Sequence, residues 1–141
     1  MEDIRIRYYS KTGNTKAVAL YIANKLNIEA KEIKKEDYNN KFGLLFLGGA
    51  PYANIMSSKL REYANNLIKD NVMAVALFTT SNWSRRTVRA LKKILKEKGI
   101  KVYDKYLYVH MLKVKSSVVK SEIFAEEILN EYRKDFYEGT N

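Results

Sequence analysis

The sequence predicts a three-layer α/β sandwich, a five-stranded parallel sheet in strand order 2-1-3-4-5 with helices on both faces. One domain is expected over residues 1–136, with a short tail over 137–141. Three observations carry this reading. Apolar runs of strand length alternate with stretches of helical period along the whole chain. The runs Leu44-Leu45-Phe46-Leu47 and Val72-Met73-Ala74-Val75-Ala76-Leu77-Phe78 are continuous rather than alternating, as in strands covered on both faces. Parallel strands need right-handed crossovers, and the helical stretches between the runs supply them. The order 2-1-3-4-5 is a common solution at this size.

Each element has its own signal. Ile4, Ile6 and Tyr8 alternate as a first strand. From Thr15 the apolar spacing of Ala17, Val18, Tyr21, Ile22 and Leu26 is helical, and Asn27 closes that helix. Residues 28–33 alternate as a second strand, and the two continuous runs are the third and fourth. Between them, residues 57–68 carry Leu60, Tyr63, Ala64, Leu67 and Ile68 at helical spacing; after the second run, residues 85–98 do the same with Val88, Leu91, Ile94 and Leu95. After Gly99, a helix stop, residues 100–109 read as a fifth strand, and residues 122–132 as a last helix. Arg5 and Arg7 break the pattern, because a central strand should be apolar on both faces. A sheet end or an acidic neighbour could satisfy one of them.

Composition excludes much chemistry. With no cysteine among 141 residues there are no disulfides or thiolate sites, and one histidine cannot build a histidine metal cluster. No window is apolar for long enough to span a membrane, so no membrane partner is expected. The N-terminus enters the first strand without an apolar leader, which makes the cytoplasm the expected compartment. The formal charge of +10 favours encounters with acidic partners. The basic residues are scattered, as in Lys34-Lys35, Arg85-Arg86 and Lys92-Lys93, and read as solvated helix faces rather than a nucleic-acid stripe.

In this topology ligands bind where the strand order reverses, at the carboxyl ends of the strands. That gathers residues 10–15, 48–56 and 79–84. The first of these, Ser10-Lys11-Thr12-Gly13-Asn14-Thr15, combines hydroxyls, a glycine and a helix N-terminus, whose unpaired amides and partial positive charge suit a phosphate. The same residues also suit a plain strand-to-helix turn capped by Thr or Asn. The loop lacks both the nucleotide-triphosphate and the dinucleotide glycine patterns.

The stretch Ile6 to Lys16 resembles the flavodoxin signature, [ST]-x-T-G-x-T after a first strand, and the order of elements is compatible with that family over almost the whole chain. The resemblance implies FMN as cofactor, its 5'-phosphate wrapped by Ser10, Lys11, Thr12, Gly13, Asn14 and Thr15. It implies two flavin-facing loops, Ala50-Pro51-Tyr52-Ala53-Asn54 and Thr79-Thr80-Ser81-Asn82-Trp83, with Tyr52 and Trp83 as aromatic walls. Two departures stand out. Ala53-Asn54 replaces the glycine and acidic residue of the family's N5 turn, where positive φ costs Ala roughly 1 kcal/mol more than Gly. The one-electron-reduced flavin is therefore expected to be less favoured. Lys11, Arg85 and Arg86 replace the family's acidic surroundings, and positive charge favours an anionic reduced flavin. A less negative potential is expected, although Arg85 and Arg86 also read as solvated first-turn residues. His110 reads as a surface or capping residue rather than a proton donor.

The resemblance implies an FMN-binding electron carrier that needs no catalytic side chain and serves redox partner proteins, here with acidic surfaces. Two other readings stay open at this point: a small FMN-dependent reductase of a quinone-like acceptor, and a flavin-free basic interaction module.

Overall fold

A computed structural model describes residues 3–52 and 55–138. In chain order the elements are β1 (Ile4–Tyr8), α1 (Asn14–Leu26), β2 (Ala30–Glu32), β3 (Phe42–Gly49), β4 (Pro51–Tyr52), β5 (Ile55–Met56), α2 (Ser58–Asn66), β6 (Val72–Ser81), α3 (Arg86–Glu97), β7 (Leu107–His110) and α4 (Val118–Arg133). The main sheet is five-stranded in the order β2-β1-β3-β6-β7, with every pairing parallel. Setting aside the β4-β5 hairpin, this is the expected 2-1-3-4-5 order.

The two continuous apolar runs form the centre. All of β3 is buried, and because successive side chains point to opposite faces, Leu44 and Phe46 enter one core while Leu45 and Leu47 enter the other. The first core is closed by Val18 and Ile22 of α1 and by Phe124, Ile128 and Tyr132 of α4. The second is closed by Leu60 and Tyr63 of α2 and by Val88, Leu91 and Leu95 of α3. Each fully buried leucine or isoleucine contributes about 1.5–3 kcal/mol relative to exposure. Gly48 lies where β3 passes the Phe78 ring, and a Cβ there would collide with it.

Arg7 finds an acidic neighbour. Its side chain is buried, its Nε donates to Asp37 Oδ2 at 2.8 Å, and Nη1 donates to the Ile6 carbonyl at 3.1 Å. Asp37 lies in the short turn of helix Lys35–Asn39, and its Oδ2 also accepts from the Tyr63 hydroxyl at 2.7 Å. Arg5, at the open end of the strand, pairs with Asp3.

Four expectations are corrected. The fifth strand does not run through residues 100–109: Val102 alone bridges to Val75, and the chain leaves the sheet before pairing again at Leu107. Asp104 sits in that break, exposed and held by Lys92 of α3 at 2.7 Å. The second strand is trimmed to three residues. The last helix starts at Val118, four residues before the expected start, and the exposed Val118 and Val119 add no apolar period that would have marked that turn. Residues 50–56 are not a plain loop, since β4 and β5 pair within them. At the other end the helical path continues past α4 through Lys134–Glu138, with Tyr137 against Tyr132.

Candidate functional site

The carboxyl ends of β1, β3 and β6 do converge. They border a cleft of about 540 Å³ lined by Thr12 and Asn14 from the first loop and by Ala50, Pro51 and Tyr52 from the second. Thr80, Ser81, Asn82 and Trp83 from the third join them. Of the other residues expected here, Ser10, Lys11, Gly13, Thr15 and Thr79 are not in the lining but are hydrogen-bonded within the same three loops. Ala53 and Asn54 lie outside the described residues.

The first loop is built around Gly13. It precedes α1 with φ +92°, a left-handed conformation that side chains disfavour. Its amide donates to Ser10 Oγ at 3.0 Å, which closes the loop on itself. No side chain caps α1. The amides of its first turn are therefore left for a group outside the helix, and the helix dipole adds partial positive charge there. Thr15 departs from the hydroxyl lining expected of it: it is buried, and its hydroxyl shares a 2.8 Å hydrogen bond with Thr80. That bond, with the Thr79 hydroxyl donating to the Gly49 carbonyl at 2.7 Å, ties the strand ends together.

Tyr52 joins the first and second loops. Its hydroxyl accepts from the Lys11 amide at 2.7 Å, and the Lys11 ammonium lies 4.7 Å from its ring centre. Burial raises the phenol's pKa above the usual tyrosine value against the opposing Lys11 hydrogen bond, so Tyr52 is neutral at physiological pH.

Trp83 is held by its backbone. Its φ is +71°, a conformation costing a non-glycine residue about 1–2 kcal/mol. Its amide donates to the Tyr108 hydroxyl at 2.7 Å, and that hydroxyl donates to the Ser81 carbonyl at 3.1 Å. The indole meets the His110 ring edge-on at 4.8 Å and remains 75% exposed. His110 caps the turn that follows: Nδ1 accepts from the Leu112 amide at 3.1 Å, so Nε2 carries the hydrogen and donates to Asn82 Oδ1 at 3.0 Å. This is the capping role expected of it.

None of the three expected cations lines the cleft: Lys11 lies against the ring of Tyr52, and Arg85 and Arg86 point elsewhere. Arg85 lays its guanidinium 3.5 Å over the Tyr108 ring, and Arg86 is exposed beside the groove between α2 and α3. Ser84, the last residue of the gathered third loop, and Met111, which follows the last strand at the same sheet edge, also line the cleft, although neither was singled out as a cofactor contact.

No protein-family model and no curated protein sequence matches this chain. Solved structures do. A flavodoxin from the domain Archaea superposes with TM-score 0.79 at 19% identity, covering 94% of this chain and 99% of its own. Flavodoxin 2 from Bacillus cereus gives 0.75 at 18%, covering 92% and 99%. The Megasphaera elsdenii flavodoxin gives 0.62 at 21%, covering 86% and 96%. Full-length superposition at such identities, together with the sheet order and the loop cluster, identifies the chain as having the flavodoxin fold.

Proposed function

We propose that the cleft binds FMN and that the protein carries electrons between redox partner proteins. The observation that carries this reading is the convergence of three separate loops, one an uncapped helix N-terminus after Gly13, on a single cleft with Tyr52 and Trp83 in its lining. Its volume lies within the ordinary range of small-molecule sites.

The residues present fit the group. The first turn of α1 offers amide donors and positive dipole to a phosphate, and Gly13 gives the loop its left-handed turn without steric cost. Thr12 and Asn14 add side-chain donors on the cleft side, and Lys11 adds charge. Tyr52 and Trp83 offer aromatic surface to a flat ring. Asn82 and Ser81 offer polar groups to its edge. FMN, when bound, supplies one- and two-electron transfer, and the side chains have only to hold it and exclude water.

The test is titration of the purified protein with FMN and with riboflavin, followed by quenching of flavin fluorescence. FMN is expected to bind more tightly than riboflavin, which lacks the phosphate. Thr12→Asp places a carboxylate in the cradle. It should weaken FMN by at least tenfold and leave riboflavin nearly unaffected. A protein that takes up neither flavin overturns the reading, and equal affinities overturn the assignment of the cradle.

A further inference from the structure

A second recess lies on the other side of α3's N-terminus. It is a groove of about 360 Å³ between α2 and α3, rimmed by Arg61, Arg86, Arg89 and Lys93, with Ile55, Met56 and Ala90 also in its lining. Arg86, Arg89 and Lys93 recur at three- and four-residue spacing, so they form one stripe about 10 Å long on α3. Among the described residues none of these four cations has a carboxylate within 4 Å; even Glu97, one turn beyond Lys93, makes no pair with it. The neighbouring face of the same helix is different: Lys92 and Lys96 share Asp104 at 2.7 and 3.8 Å. The groove therefore concentrates unneutralised positive charge over an apolar base in which Ile55 is 62% exposed.

Resting on the electron-carrier reading above, we propose that this groove docks an acidic, partly apolar surface of the protein that exchanges electrons with this one. Charge complementarity selects the sign of the partner. The aliphatic lining selects its class, because single-stranded nucleic acid is held on aromatic platforms and this groove contains none. Position supplies the purpose. β5 closes the hairpin whose other strand holds Pro51 and Tyr52, and α3 starts two residues after Ser84, so both walls of the groove are continuous with the lining of the cleft. A partner seated there contacts segments that run directly into the cleft's lining.

The experiment uses a fluorescein-labelled helical peptide of glutamate and leucine, a single-stranded oligonucleotide of equal charge, and the full chain with and without added FMN. Fluorescence anisotropy should show the peptide binding at 20 mM salt, with affinity falling at least tenfold by 200 mM. Arg89→Glu combined with Lys93→Glu should weaken the peptide at least tenfold while FMN titrates as in the unchanged protein. In FMN-loaded, photoreduced protein the same pair should slow reduction of an acidic haem protein and leave reduction of a small neutral quinone unchanged. Equal peptide binding by both proteins overturns the proposal, as does tighter binding of the oligonucleotide through these residues. Failure of the electron-carrier reading looks different: FMN is not taken up, whereas charge-dependent peptide binding persists.

Discussion

Arg7 and Arg89 carry the same side chain, but Arg7 is sealed inside the protein and Arg89 stands on its surface. Arg7, in β1, meets Asp37, which also holds Tyr63. Arg89, on α3, is exposed and shares its groove only with other cations and apolar groups. The difference teaches how to divide a net charge of +10. A buried cation without a counter-charge costs several kcal/mol, so the fold must neutralise it. An exposed one costs the fold almost nothing, and an unpaired stripe of them is free to select a partner.

The sharpest way to break this comparison is to remove Asp37. Asp37→Ala leaves Arg7 buried and unpaired, and removing one partner of such a pair typically costs about 3–5 kcal/mol. Against a total stability of about 5–15 kcal/mol for a domain, that is a large fraction. The urea midpoint should fall steeply. Arg7→Met combined with Asp37→Leu should recover much of the loss, because it removes the buried charges together. The double reversal at Arg89 and Lys93 should leave the midpoint unchanged. An Asp37→Ala protein as stable as the parent would show that the buried pair is not what holds this part of the fold.

The third member of the cluster gives a smaller effect with a pH signature. Burial, and then the hydrogen bond to Asp37, hold the Tyr63 hydroxyl far above the ordinary tyrosine pKa of 10.0. The unfolded chain ionises this phenol near that ordinary value while the folded chain retains its proton. The contribution of Tyr63 to stability is therefore complete below about pH 10 and declines above it by about 1.4 kcal/mol per pH unit. Tyr63→Phe should cost about 1.5–3 kcal/mol at pH 8, the value of a hydrogen bond to a charged acceptor. The gap between the two proteins should narrow by pH 11. A constant gap would mean that Tyr63 ionises in the folded protein.

The sheet was legible because its signals are local and repeated. β3 and β6 announce themselves as buried through continuous apolar runs, and α1, α2 and α3 through their apolar spacing. The gathering of three loops followed from topology alone. What could not be read depends on partners distant in sequence. Arg7 looked misplaced in a central strand because Asp37 is thirty residues away and Tyr63 farther still. The break before Leu107, where exposed Asp104 meets Lys92 of α3, interrupts a stretch whose composition still reads as strand. Thr15 was expected in the phosphate loop, and the bond of its hydroxyl to Thr80, sixty-five residues away, is a contact no local pattern reveals. The stripe on α3 was visible as basic residues, but their lack of carboxylate neighbours is a property of the folded surface.

Lys92 provides the finest test, because it lies on the same helix as Arg89 and differs in having a partner. Its ammonium lies 2.7 Å from Asp104, and hydrogen bonding with Lys92 holds the Asp104 carboxylate below its ordinary pKa. A depressed carboxylate pKa stabilises the fold above the unfolded value of 3.8 and loses that contribution as pH falls through the folded value. Asp104 is exposed, so solvent screens the pair. Asp104→Asn should therefore leave the urea midpoint at neutral pH within error of the parent. What it should change is recognition: Lys92 and Lys96 become unneutralised, the positive field of α3 grows, and the acidic peptide should bind about twofold more tightly at low salt. A clear loss of stability with no gain in peptide affinity would mean that the sorting of cations by burial fails on this helix.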